Sequence, residues 1–389
     1  MSNLMNAHYD PPQSHSQSQT RWVLLPNKKI FAPSLKCLNV LINPNQESYF
    51  PALVGVYASV KRFQLYLDKK LIYKWDAQEI LPYLIAGSGD NEKQVGINKV
   101  LYNTGNNCEY DNESGLLTLS RNVVDASPAS MKLSVFCDLL NNIQVINQEM
   151  EIIVEWENNL NKMLVPVDST NPPTSVNIQA PYLSYETLAG DYKQPDSVLF
   201  RNFVRDQLSI PSTTSGTTLS TEIRSNAFNQ KTIGRLMFTN TPISILSGTP
   251  NAEAEKLYNL FGYYMSIPMS QEIWNIAQNG RSVMTFRNIS SDAVKLSITN
   301  DTWGPAYFTT GAHSHRERSV LKELDDDTES SLNGYASYGC VELNQYIAKD
   351  LQVTYSRRGE NMTTLSEQLL LNVIAEVKCV YENGHIVYL

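Results

Sequence analysis

Apolar and polar residues alternate along most of this chain. From Lys61 to Leu67, Phe63, Leu65 and Leu67 fall on one side, with Arg62, Gln64 and Tyr66 on the other. A polar turn, Asp68-Lys69-Lys70, leads into Leu71, Tyr73 and Trp75, so the stretch reads as a β-hairpin. Met131, Leu133, Val135 and Cys137 alternate with Lys132, Ser134, Phe136 and Asp138. Ile152, Val154 and Trp156 alternate with Glu151, Ile153, Glu155 and Glu157. Both segments fit antiparallel strands with one buried and one wet face. The pattern returns at Val294, Leu296 and Ile298, and again at Leu351, Val353 and Tyr355. Leu369–Tyr381 suits a buried helix or a strand. Strand is preferred for its C-terminal part, because Asn383-Gly384 and then His385–Leu389 follow. Asn-Gly between apolar runs tolerates the positive φ that a type I′ hairpin turn requires.

Helical signals are few. Asp76 can cap Ala77–Ala86, with Glu79 completing a capping box, although Pro82 kinks or ends such a helix. Asn251 can cap a segment through Met265, where Leu257, Leu260, Phe261 and Tyr264 recur at helical spacing. These are excursions from a β framework, and the strand density predicts sandwiches or jelly rolls. Met1 to about Thr20 carries Asp10-Pro11-Pro12 and then a Ser/Gln/His alternation, and has too few apolar groups to offset its ordering entropy. The best boundary lies between Met163 and Pro181, where Pro172-Pro173 in Ser/Thr/Asn context stops helix and strand alike. The expected organisation is therefore a flexible N-terminal arm over 1–21, a first sandwich over 22–165, a linker over 166–181 and a second sandwich over 182–389.

Composition narrows the function. The chain has 389 residues and a net charge of −8, which disfavours duplex wrapping, a task that needs concentrated cationic surface. No apolar run approaches the roughly 18 residues of a bilayer span, and the N-terminus lacks the apolar core of a secretory signal. The five cysteines, Cys37, Cys108, Cys137, Cys340 and Cys379, form no close pair and read as buried free thiols in a reducing compartment.

Candidate chemistry is sparse. Phosphate-loop, zinc-helix, nucleophile-elbow and dinucleotide fingerprints are all absent from the sequence. Gly87-Ser88-Gly89 follows a predicted helix rather than a strand and reads as a surface turn. His313-Ser314-His315 can put two imidazoles on one side of a strand, yet only Glu317 lies close by among acidic residues. Asp325-Asp326-Asp327 lacks the spaced ligands of a calcium loop. Solvated loops are the plain reading of both. Trp22, Trp75, Trp156, Trp274 and Trp303 are scattered, as core fillers are. Arg357-Arg358 suits either a plain surface or an acidic group on a neighbouring subunit. No catalytic, cofactor-binding or metal-ligating residue is expected.

Four stretches carry a resemblance. They are Ser59–Asp68 (SVKRFQLYLD) with its hairpin, and Met131–Leu140 (MKLSVFCDLL) followed by Gln148–Glu157 (QEMEIIVEWE). Then come Ala180–Glu186 (APYLSYE), and Val341–Ile347 (VELNQYI) through Tyr355–Arg358 (YSRR) with the terminal Ala375–Leu389. Spaced over 59–389, they resemble the double jelly-roll major capsid proteins of the adenovirus, tectivirus, virophage and polinton-like virus lineage. The resemblance implies an all-β fold of two consecutive eight-stranded antiparallel jelly rolls with short helical excursions in loops. It implies a non-enzymatic, hexon-like coat protein located in the virion and made in the host cytoplasm or nucleus. It further implies homotrimeric, pseudo-hexagonal capsomers that tile an icosahedral shell and contact neighbouring capsomers, penton and minor capsid proteins. Sequence-specific nucleic-acid contact is not expected. On this reading Met1–Thr20 is an arm that reaches neighbouring capsomers, minor proteins or an inner membrane.

Two alternatives stand beside it. One is a penton, spike or other minor component of the same kind of virus, built on one jelly roll plus an insertion. The other, more remote, is a lectin-like or carbohydrate-active sandwich using Glu151, Glu155 and Glu157, although Trp156 alternates to the opposite face.

Overall fold

The structure is a computed structural model. It describes residues 5–25, 31–38, 40–43, 48–51, 57, 59–76, 108–110, 117–119, 129–137, 139–142, 149–158, 164–166, 175–188, 197–210, 218–224, 227–242, 272–278, 280–288, 339–347, 351–358, 369–382 and 385–389. Among these residues helix is confined to short turns at Leu133–Val135 and Leu139–Asn142 and to the 3-10 residues Tyr57 and Ser59. None is long and apolar enough to cross a membrane.

The alternating segments become strands for the reason the pattern suggests: one face is buried. In Val60–Leu67 the inward residues are Val60, Phe63, Leu65 and Leu67. A register shift opposite Glu155 and Trp156 lets both Val60 and Phe63 turn inward. Asp68 and Lys69 have φ of 46° and 65°, the positive values of a type I′ turn, and they fold Lys70–Asp76 back as the expected hairpin. This hairpin forms one side of a five-stranded sheet ordered Ser14–His15, Gln19–Leu24, Met150–Trp156, Val60–Leu67 and Lys70–Asp76. A four-stranded sheet runs Met5–Asp10, Tyr182–Leu188, Phe31–Leu38 and Ala129–Lys132. Among the described residues the first half has two smaller sheets as well. One joins Leu164–Pro166, Ser48–Pro51, Leu117–Leu119 and Cys108–Tyr110, and the other pairs Ser175–Ile178 with Val40–Asn43. The core contains Trp22, Trp75, Trp156, Phe63 and Phe136. Phe63, Trp75 and Phe136 form a triangle with ring centroids 4.5–5.9 Å apart, and the Trp75 indole N–H donates to the Phe136 carbonyl.

Among the described residues the second half holds a five-stranded and a four-stranded sheet. Counted in chain order from Ser197–Ile210 to Leu369–Glu382, its strands run 1-8-3-6 in one sheet and 2-7-4-5 in the other. That interleaving is the topology of a jelly roll. The terminal strand His385–Tyr388 adds to the first of these sheets by pairing with Leu369–Glu382. The latter extends over 14 residues, and Ser197–Ile210 pairs with all of it. Val373, Ile374, Ala375 and Val377 are buried on both faces, so their run of apolar residues shows no alternation.

Several expectations change. The arm expected to be flexible over 1–21 is built into sheets from Met5 onward, as Met5–Asp10, Ser14–His15 and the start of Gln19–Leu24. Its backbone groups find strand partners, and that offsets what its composition cannot supply. The segment assigned to the linker includes Ser175–Ile178, which pairs with Val40–Asn43. Tyr182–Leu188, expected to open the second roll, instead lies between Met5–Asp10 and Phe31–Leu38. The expected strand Met131–Cys137 stops at Lys132 and turns into a 3-10 helix, which buries Phe136 on what was to be the wet face. Ile153 and Glu157, also expected to be wet, are buried. Ala77–Ala86, Asn251–Met265 and Val294–Ile298 lie outside the described residues.

Candidate functional site: a clasp and a junction

Two groups of long-range side-chain contacts hold distant segments together. The first is a clasp on the segment between the halves. Thr20 and Trp156 face the core, and the Trp156 Nε1–H donates to the Thr20 hydroxyl at 2.7 Å. That hydroxyl lies 2.7 Å from His15 Nδ1, and His15 Nε2 lies 2.9 Å from the Ile178 carbonyl. A carbonyl only accepts, so Nε2 carries the proton, and the Thr20 O–H is left to donate to Nδ1. Gln17 then acts as a strand partner in side-chain form. Its amide nitrogen donates to the Ile178 carbonyl at 3.1 Å, while its oxygen accepts the Ile178 N–H at 2.8 Å. Further along, His8 stacks on Tyr185 with centroids 5.1 Å apart and sits 2.7 Å from the Thr187 hydroxyl. Tyr185 donates its O–H to Asp10 at 2.7 Å. The N-terminal strands thus hold residues 178–187 through two histidines, a glutamine and an aspartate.

The second group is the junction between the halves. On the outer face of the five-stranded sheet, Glu155, Arg62 and Asp76 occupy one cross-strand row. Arg62 donates to Asp76 at 2.6 Å and to Glu155 at 3.2 Å. The Asp76 hydrogen bond, reinforced by Glu155, pushes the Arg62 pKa further up. Asp76 also faces Arg205 of the second half at 3.6 Å. Nearby, Arg21 is paired with Glu151, whose hydrogen bond likewise raises the Arg21 pKa. At the hairpin tip Lys70 donates to His385 Nδ1 at 2.8 Å, a second bridge to the second half.

These contacts give Glu151, Glu155 and Glu157 partners within the fold. Glu151 and Glu155 are partners of arginines, Glu157 is buried and bonds the Asn158 backbone N–H, and Trp156 lies in the core. Cys137 and Cys379 are buried free thiols; burial pushes Cys379 up to about 12 against the opposing pull of Lys231 and Asn202. Among the described residues no cluster of His, Cys, Asp or Glu has the geometry of a metal site. Arg357 and Arg358 end the strand Leu351–Arg358, opposite Leu219 and Thr218. Gly87–Gly89, His313, His315 and Asp325–Asp327 lie outside the described residues. Sequence reasoning missed His15, Gln17, Thr20, Asp76 and Arg205. For the first three a signal existed, since Ser14–Gln19 alternates small and longer polar residues as a strand can. For Arg205 there was none, because its partner is 129 positions away in the chain.

No family model matches the chain, and no curated protein matches it by sequence. Its fold does match solved structures. It superposes on a protein of the Sputnik virophage with a TM-score of 0.57 at 12% identity, covering 99% of this chain and 88% of that one. For the mavirus major capsid protein the TM-score is 0.54 at 10% identity, covering 98% and 89%. For a chain of the PBCV-1 virus capsid it is 0.54 at 10% identity, covering 100% and 97%. The chain therefore has the double jelly-roll fold of these viral proteins over nearly its whole length.

Proposed function

We propose that this chain is the major coat subunit of an icosahedral double-stranded DNA virus. Three copies form a pseudo-hexagonal, hexon-like capsomer, and capsomers tile the shell together with penton and minor proteins. The observation that carries this reading is the coverage: two jelly rolls in one chain, matched end to end by viral capsid structures. A penton-like component with one jelly roll leaves the second sandwich without a purpose. A coat subunit needs no reactive centre, and it works in the virion by presenting the same surfaces to many copies. The division between the rolls falls, on this reading, within 189–196, because Tyr182–Leu188 pairs with the first half and Ser197–Ile210 with the second. The clasped N-terminal strands then belong to the first roll's frame, and any arm reaching neighbours is shorter than 1–21. Size-exclusion chromatography with light scattering tests the proposal. A stable particle of three times 43.8 kDa is expected, whereas a monomer or a fivefold assembly would refute it.

A further inference from the structure

One end of the second half's five-stranded sheet exposes a face with ordered chemistry. Register places Leu199, Val380 and Val387 side by side on adjacent strands. They are not covered: Leu199 is 57% exposed, Val387 48%, and Val380 is half-buried. The row on one side of this apolar strip is Ser197, Glu382 and His385. On its other side stand Arg201 and Lys378, with Leu389 next to Lys378 through its backbone bond and 46% exposed. The face continues toward Arg205, where the first half covers it through Asp76, and Lys70 reaches only the His385 corner.

Acidic, apolar and basic rows in that order are complementary to their own copy. A two-fold axis along the apolar row turns the strands antiparallel and sets each apolar side chain against its equivalent. Glu382 then meets the copy's Lys378, twice per contact. We infer that this face is a two-fold docking surface for a second copy of the chain, and that it joins one capsomer to the next rather than building the capsomer. Three strands and three rows span about 300 Å² per copy at ordinary sheet spacings. A stable dimer needs roughly 800 Å² per partner, so a single contact is weak and the shell gains from its repetition. The inference takes from the coat reading only that copies meet many times over.

Charge exchange tests it. Glu382→Lys and Lys378→Glu each place like charges across the axis, whereas the double variant restores opposite charges with the order reversed. Sedimentation of concentrated full-length protein at low salt is expected to show reversible association beyond the basic oligomer. Each single variant, and separately Leu199→Asp, should weaken it about tenfold or more, and the double charge variant should return to within about threefold of the parent. Unchanged association in the single variants, no recovery in the double, or no association of the parent at about millimolar concentration would overturn the inference. The size of the basic oligomer at low concentration reports on the coat reading separately, since neither exchange replaces a residue of the Arg62–Asp76–Arg205 contact or of the clasp.

Discussion

The two halves of the molecule are held together by different means. In the second, the backbone does most of the work: Ser197–Ile210 and Leu369–Glu382 pair over their full length, and the sheets interleave regularly. In the first, strands are shorter and side chains tie together segments more than 130 residues apart, as Trp156–Thr20 and Gln17–Ile178 do. A long ladder tolerates the loss of any one side chain, because backbone bonds fix its register. A clasp made of single donors and acceptors does not, because each lost partner leaves a buried or part-buried polar group unsatisfied. The first half should therefore be the more sensitive to point substitution at polar positions, and the second to changes that disturb register.

The largest effect expected concerns the extent of the first roll. A fragment of residues 1–188 includes Tyr182–Leu188 and should give sharp near-ultraviolet circular dichroism and a cooperative melt. A fragment ending at residue 174 lacks both clasped strands and should give neither; equal behaviour of the two would remove the clasp from the account. Next comes Trp75→Ala, which empties the aromatic triangle and orphans the Phe136 carbonyl. It should cost about 3–5 kcal/mol by denaturant titration, as large-to-small core changes do. Thr20→Val keeps the volume but strands the Trp156 indole N–H, at a cost of about 1–3 kcal/mol. The same kind of change at exposed Ser209, on the long ladder, should fall within about 0.5 kcal/mol of the parent.

Smaller still is the junction. Asp76→Asn weakens contacts to both Arg62 and Arg205, each partly exposed, and should cost about 1 kcal/mol or less, fading in high salt. The pH dependence of Cys379 has a definite sign. Its thiol is held neutral in the folded state up to about 12, above the ordinary cysteine range. The folded form therefore keeps its proton where the unfolded form loses it, and this contribution to stability is present below about pH 8.5 and declines as pH rises toward 12. A Cys379→Ala variant should lose that part of the alkaline slope in a melt-versus-pH series.

The sequence made the β framework legible wherever one face is wet. The hairpin at Asp68-Lys69 and the inward sets Phe63–Leu67 and Ile152–Trp156 follow from period-two alternation alone. It was misleading where burial is two-sided or the ordering is long-range. Leu369–Glu382 is buried on both faces from Val373 to Val377, so periodicity could not separate helix from strand. Met131–Cys137 alternates in sequence, but the aromatic triangle draws Phe136 inward and the chain turns at Leu133. The N-terminal segment looked too polar to order because its stabilising partners, Ile178, Tyr185 and Thr187, come from the far end of the first half.

The most direct test is a cryo-electron microscopy map of the purified chain. The account requires two side-by-side jelly rolls per chain, Arg205 against Asp76 where they meet, and three chains around one axis giving six sandwich densities. A particle with one sandwich per chain, or with helices in place of the 197–389 strands, would contradict it.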